Sequence, residues 1–289
     1  MSNKIVLIAL NRLPGIGPKT IQRLLYHWPK LNEMLEQHAL QKLSPALPLA
    51  LVEAFYCLDW QKAEKDMRWA EQENCHILTY DDAQYPALLR QIHNAPPVLY
   101  LKGDLDTLKE TTLAVVGTRK PSGYGQRIAR QWCEQLVDAG LVLVSGMALG
   151  IDTIAHQVCV AKSGKTIAVM GCGLQHTYPR QNRILARQIE ENGLIISEFS
   201  PELPPNPGHF PRRNRIISGL ALCTLIVESA EKSGTMHTAV HAVEQNREVF
   251  AIPGPVGEPQ SLGCHRLIQQ GARLVVDASE IIAQYHGYL

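Results

Sequence analysis

The chain is 289 residues long, 45% hydrophobic and 19% charged, with 28 basic residues against 27 acidic ones. At roughly 150 residues per domain this length suggests about two domains, and the composition excludes a chain that is disordered throughout. A formal net charge of +1 excludes a uniformly basic nucleic-acid binder, so any affinity for phosphate must come from local clusters.

In chain order, the first part reads as helical up to about residue 75. Ile5, Leu7, Ile8 and Leu13 precede Pro14-Gly15-Ile16-Gly17-Pro18, and the helical spacing resumes at Ile21, Leu24 and Leu25. This pattern predicts two helices joined by a hairpin, with Gly15 and Gly17 free to take positive φ and Pro18 suited to a first helical turn. It resembles a helix-hairpin-helix, in which hairpin N–H groups and a nearby lysine hold a backbone phosphate without reading sequence. Gly15, Gly17 and Lys19 are therefore candidate DNA contacts; the competing reading is a structural or protein-contact module. A further helix is expected over 59–73, a strand over 76–80, a short helix over 86–91 and a strand over 98–101.

From about residue 111, apolar runs alternate with amphipathic segments. The runs cover 113–116, 141–144, 166–170, 194–196, 223–227, 248–252 and 273–276, and helices are expected to start near 124, 151, 180, 212, 234 and 262. Short continuous apolar strands alternating with helices predict an α/β fold: a doubly wound, mostly parallel sheet covered on both faces. The proline-rich stretch 201–211 reads as a surface loop. No apolar run reaches the roughly 20 residues of a membrane span, and no signal peptide opens the chain. The seven cysteines form no CxxC pair and are odd in number, so neither a disulfide framework nor a zinc knuckle is expected. A reducing cytoplasm fits this usage best.

Ligands of open parallel sheets bind beyond the carboxyl ends of the strands. Glycine-rich turns follow four of the predicted strands here: Gly117 to Gly125, Ser145 to Asp152, Gly171-Cys172-Gly173 and Pro253-Gly254-Pro255. Glycine admits a ligand close to backbone N–H groups, and the helices that follow favour anions, so the first expectation is a phosphate-binding crevice. A dinucleotide site would call for G-x-G-x-x-G and an acidic residue ending the second strand, where Ser145 stands instead; no P-loop is present either. Basic residues then cluster at the same edge: Arg119 and Lys120, Arg180 and Arg183 behind Tyr178-Pro179, and Arg212, Arg213 and Arg215 within Phe210-Pro211-Arg212-Arg213-Asn214-Arg215. Arginines beside an aromatic ring suit single-stranded nucleic acid, with guanidinium groups on phosphates and a base stacked on Phe210 or Tyr178. The opposing reading is a solvated helix face with at least one arginine in an internal ion pair.

At these motifs the chain resembles the DNA-processing protein A (DprA, or Smf) family. The resemblance runs from about Tyr80 to Ile282 through AVVGTRKPSGYG, SGMALGIDTIAH, AVMGCGLQHTYPRQN, ISEF, HFPRRNRIISGL, IVESAEKSGTMHTA, AVEQNREVFAIPG and LIQQGA, in the family's order. It implies an extended Rossmann domain over 76–289, a homodimer, and binding of single-stranded DNA without catalysis, cofactor or metal. Its implied biology is natural transformation, in which incoming strands are protected and a RecA-type recombinase is loaded on them. The family's DNA pocket maps onto Gly117, Arg119, Ser122, Ser145, Gly146, Arg180, Phe210, Arg212, Asn214 and Arg215, with Lys120 and Arg213 as basic neighbours. Departures are Leu149 where many relatives carry arginine, Gly263-Cys264-His265 in place of a more common GTN, and Met236-His237 in place of an apolar pair. A C-terminal winged helix found in many members is not expected within the 289 residues.

The remaining candidates carry less. His237 and His241 have the spacing of zinc ligands, but Thr238 stands where H-E-x-x-H would place its glutamate, and no third ligand is evident. Glu198 and Glu228 end strands on the ligand edge; pairing with the arginines of the FPRRNR run is expected for both. The alternative function is a Rossmann enzyme that binds or hydrolyses nucleoside monophosphates, with Glu228 as base.

Overall fold

The computed structural model describes residues 2–32, 55–285 and 287, so 33–54 of the expected helical N-terminal part lie outside the described residues. That part contributes α1 (Asn3–Asn11), α2 (Pro18–His27) and α3 (Trp60–Trp69). Pro18 occupies the first turn of α2, and the side chain of Asp59 caps α3 by accepting from Lys62 N at 3.0 Å. The helix expected over 59–73 ends early, at Trp69.

The strands form one nine-stranded sheet in the order β1-β2-β6-β5-β4-β3-β7-β8-β9. They are β1 (Cys75–Thr79), β2 (Val98–Gly103), β3 (Thr112–Val116), β4 (Val142–Ser145), β5 (Thr166–Val169), β6 (Leu194–Ser197), β7 (Cys223–Ile226), β8 (Glu248–Ala251) and β9 (Arg273–Leu274). Pairing is antiparallel for β1–β2 and β2–β6 and parallel for the rest, which confirms a mostly parallel α/β sheet. Helices α4 (Ala87–Arg90), α5 (Gly123–Asp138), α6 (Ile151–Ala161), α7 (Arg183–Asn192), α8 (His209–Gly219), α9 (Gly234–Glu244), α10 (Leu262–Gln269) and α11 (Ala278–Tyr285) cover it.

Strands buried on both faces explain the unbroken apolar runs. Along β3, Leu113 and Val115 enter one core with α5, α6 and α11, while Ala114 and Val116 enter the opposite core with α8, α9 and α10. A third core joins the N-terminal helices to Ile77, Val98 and Tyr100 of β1 and β2. Buried Tyr100 donates to Asp66 at 2.7 Å, Asp66 accepts from Arg12 at 2.8 Å, and Arg12 reaches Glu202 at 2.7 Å, a polar thread through that core.

Two helix starts differ from expectation. After β5 the chain makes a cis Tyr178-Pro179 bond and a single 3₁₀ turn (Arg180–Asn182), and α7 begins only at Arg183. Asn182 is held there by donating to Met147 O and Thr153 Oγ1, both at 2.8 Å. Helix α8 starts at His209, inside the stretch read as loop, because Pro211 falls in the first turn, where a missing N–H loses no helical bond.

Candidate nucleic-acid interface

Successive strands run from β3 through β4 and β5 to β6 on one side, and β7 and β8 continue on the other, so the direction of winding reverses between β3 and β7. A cleft of ≈460 Å³ opens there, beyond the carboxyl ends of both strands, where the winding rule places a ligand.

One wall is the loop after β3. Thr118 N donates to Glu228 O at 2.7 Å and Thr118 O accepts from Ile151 N at 3.2 Å, which pins the loop on both sides. Gly150, at φ +84, lies so close under this loop that a Cβ there would collide with Thr118 O and Arg119. Gly117 likewise has no room for a side chain against Ile151. Arg119 and Lys120 at the rim are exposed, and among the described residues neither holds a carboxylate. The opposite wall is the start of α9, with Ser233, Gly234, Thr235 and Thr238, so the positive end of that helix faces the cleft.

The floor is built from buried charge. Arg213 is 4% exposed; its guanidinium donates to Gly146 O at 2.6 Å and to Val169 O, and its Nε donates to Asn214 Oδ1 at 3.1 Å. Asp152 accepts from Gly146 N at 3.1 Å and from Ala148 N at 3.3 Å. Burial holds the Asp152 carboxyl above its ordinary range and brings Arg213 down to about 10, each charge partly offsetting the shift of the other. Deeper in the same layer, buried Glu198 accepts from Arg215 and from Arg212, both at 2.8 Å.

Beside the cleft lies an aromatic patch. The rings of Tyr178 and Phe210 are 5.2 Å apart at 35°, and Phe210 rests on Gly171, where a Cβ would strike its ring. Arg180 is exposed next to Tyr178-Pro179, and the guanidinium of Arg212 sits 5.4 Å over Phe199. Phe210, Arg212 and Asn214 fall within about 6 Å of rise along α8, so patch and cleft share the first turns of one helix.

The residues expected to bind phosphate thus separate into three groups. Gly117, Arg119, Lys120 and Asn214 line the cleft. Arg180, Phe210 and Arg212 make the neighbouring patch and line no part of the cleft. The rest are engaged by the protein's own groups. Ser122 caps α5, accepting from Gly125 N at 3.0 Å, and spends its own donors on Glu228, N to Oε2 at 2.9 Å and Oγ to Oε1 at 2.5 Å. Ser145 is buried and donates to Val115 O at 2.7 Å, and the Gly146 N–H is taken by Asp152. Arg213 touches the cleft only from beneath, and Arg215 is sealed against Glu198. Glu198 meets the arginines as expected, but Glu228 does not: the capping serine is nearer in the fold and satisfies both its oxygens.

Ser233, Gly234, Thr235, Thr238 and Gln260 were missed as lining residues. A glycine opening a helix, akin to the glycine signal used elsewhere along this edge, is present at Gly234, eight residues past the end of β7, and marks the wall. Gly15, Gly17 and Lys19 sit on the α1–α2 hairpin and line no part of the cleft. Of the two spaced histidines, His241 contacts Glu244 at 3.3 Å, and no cluster of metal-ligating side chains occurs among the described residues.

The comparisons with known proteins agree on one family. The family model described as DNA recombination-mediator protein A matches residues 76–286. Protein Smf of Escherichia coli is 42% identical over 257 residues, covering 89% of this chain and 68% of that protein. The X-ray structure of DNA processing protein A from Streptococcus pneumoniae superposes with a TM-score of 0.83 at 35% identity, covering 98% of each chain. A second solved structure, of DNA processing protein A from Helicobacter pylori, covers 74% of this chain and 97% of its own at a TM-score of 0.67 and 30% identity, and its description concerns single-stranded DNA binding. The chain belongs to the DNA recombination-mediator protein A family.

Proposed function

We propose that this chain binds single-stranded DNA in DNA processing during natural transformation, protecting the strand and loading a RecA-type recombinase onto it. It does so in the cytoplasm, as a homodimer and without catalysis. In this reading the helices up to about residue 75 form one unit and residues 76–289 the DNA-binding one. The observation that carries the proposal is the rim of the switch-point cleft, where Arg119 and Lys120 stand exposed with no acidic partner among the described residues, continuous along α8 with the Tyr178–Phe210 pair. Phosphates follow Arg119, Lys120 and Arg180, and a base stacks on the aromatic pair. The Helicobacter pylori relative, described by its single-strand binding, supports the same ligand. No described helix is long and apolar enough to cross a membrane.

The hydrolase reading needs Glu228 as a free base. Both its oxygens are engaged by Ser122 and the residue is 3% exposed, which favours a structural carboxylate. The test is fluorescence anisotropy of labelled oligo-dT over a salt series with duplex competitor. Preference for the single strand, with affinity falling at a log–log slope of about −0.7 per phosphate contacted, is expected. Equal affinity for duplex and single strand would overturn the proposal, and so would mononucleotide turnover abolished by Glu228→Gln.

A further inference from the structure

We propose that the outer face of α2 is a second contact for single-stranded nucleic acid, formed by Lys19, Gln22, Arg23, Tyr26 and His27 with His93 opposite. The inference rests on the reading of the chain as a single-strand binder and extends it to a surface outside the cleft.

Helix α2 is amphipathic. Ile21 and Leu24 are buried in the N-terminal core, while Lys19, Arg23 and His27, spaced four residues apart, form one exposed stripe. Gln22 Nε2 donates to Ala95 O at 3.2 Å and so stitches the helix to the loop before β2. That contact sets His93 across from the stripe and encloses a concave space of ≈280 Å³. Tyr26 is 84% exposed, with its ring 5.2 Å from that of His27 at 84°.

Among the described residues, salt bridges neutralise some of the surface cations and leave others free of a carboxylate, Lys19 and Arg23 among the latter, as are Arg127, Arg183 and Lys232. Lys62, Lys65, Lys102, Lys109, Lys162 and Lys165 each hold a carboxylate. Lys19 and Arg23 hold none among the described residues, a condition Lys19 shares with Lys120 on the cleft rim. Cations alone would suit an acidic peptide. Two cations beside an exposed ring suit a phosphodiester chain whose bases stack, and such binding is indifferent to sequence.

The position is tied to the first site by internal contacts. The segment that anchors Arg212 through Glu198 also receives Asn11, whose Nδ2 donates to Glu198 O at 3.1 Å, and Arg12, which reaches Glu202. Those two residues lead directly into the hairpin from which Lys19 emerges.

The test compares two oligo-dT strands on the full chain, one of about 6 nucleotides, within the range of a single groove, and one of about 30. Lys19→Ala/Arg23→Ala/Tyr26→Ala, all surface positions, should leave the melting temperature and the short-strand affinity unchanged. It should weaken the long strand about tenfold or more and make its log–log salt slope shallower by about 1.4, two phosphates at about 0.7 each. Arg119→Ala in parallel should weaken both lengths. Wild-type affinity and slope of the triple variant on the long strand, with Arg119→Ala impaired, would overturn the α2 contact and leave the cleft reading standing. If Arg119→Ala binds both lengths normally while the triple variant loses the long strand, the cleft reading falls and the α2 contact holds. Capture of poly-glutamate by the wild type and not by the triple variant, with strand binding intact in both, would overturn the proposal and give this face to a protein partner.

Discussion

The arginines of α8 and the basic pair on the β3–α5 loop carry the same charge in opposite surroundings. Arg213 and Arg215 are 4% and 3% exposed and are consumed by main-chain oxygens and by Glu198, whereas Arg119 and Lys120 stand in solvent. What separates them is the partner supplied by the fold. A guanidinium with a buried carboxylate behind it is part of the scaffold, and one raised on a pinned glycine loop stays in solvent, where the proposed reading gives it a phosphate. Arg212 lies between the two cases: it shares Glu198 yet keeps 42% of its side chain exposed.

The largest test of this division is Arg215→Ala. It leaves the fully buried Glu198 to the half-exposed Arg212, and removing one partner of a buried pair costs about 3–5 kcal/mol. Urea unfolding should show that loss, while strand affinity of the folded protein stays near wild type; a normal midpoint would mean that Arg215 is not part of the scaffold.

A second test probes the layer under the cleft by pH. His156 is fully buried, with Nδ1 2.8 Å from Thr166 Oγ1, and burial, reinforced by the charge of Arg213, brings its pKa down to about 3. The Thr166 hydroxyl donates to Leu143 O, so the neutral imidazole donates from Nδ1. The unfolded chain takes up this proton near 6.5 and the folded one only near 3, so the stabilisation is complete above about 6.5 and is lost as pH falls toward about 3. At about 1.4 kcal/mol per pH unit, His156 should account for about 2 kcal/mol by pH 5. Stability of wild type against His156→Gln over that window reads the difference. Parallel curves would show that the folded imidazole carries its proton.

The smallest expected effect sharpens the other side of the comparison. Arg119→Ala should weaken single-strand binding by about 1–3 kcal/mol, the range for a charge-assisted hydrogen bond, with little change in melting temperature. A clear drop in melting temperature would place Arg119 with the scaffold arginines.

Much of this was legible beforehand. The strands from β3 to β8 announced themselves, because burial on both faces demands an unbroken apolar run, and the turns after β3 and β4 marked the ligand edge through their glycines. The roles of the arginines were harder to read, since the groups that claim them are remote in sequence: Glu198 is 17 residues from Arg215, and Gly146 is 67 from Arg213. One local signal was available. Arg213 stands four residues before Ile217 and seven before Leu220, on the helical stripe those residues bury. The engagement of Glu228 by Ser122, 106 residues away, left no such trace.

The strand order has a consequence for how copies of this chain can meet. A long sheet with bare ends would invite another molecule to extend it. At one end, outward groups of β1 are already engaged, Ile77 O by the Lys4 amine at 3.0 Å and Thr79 N by Asp82 at 2.7 Å. At the other, β9 is two residues long and carries Arg273. Strand-to-strand stacking is thereby discouraged at both ends, so the sheet is protected from the open-ended growth that bare strands allow, and the proposed homodimer would have to form elsewhere than along the sheet edges.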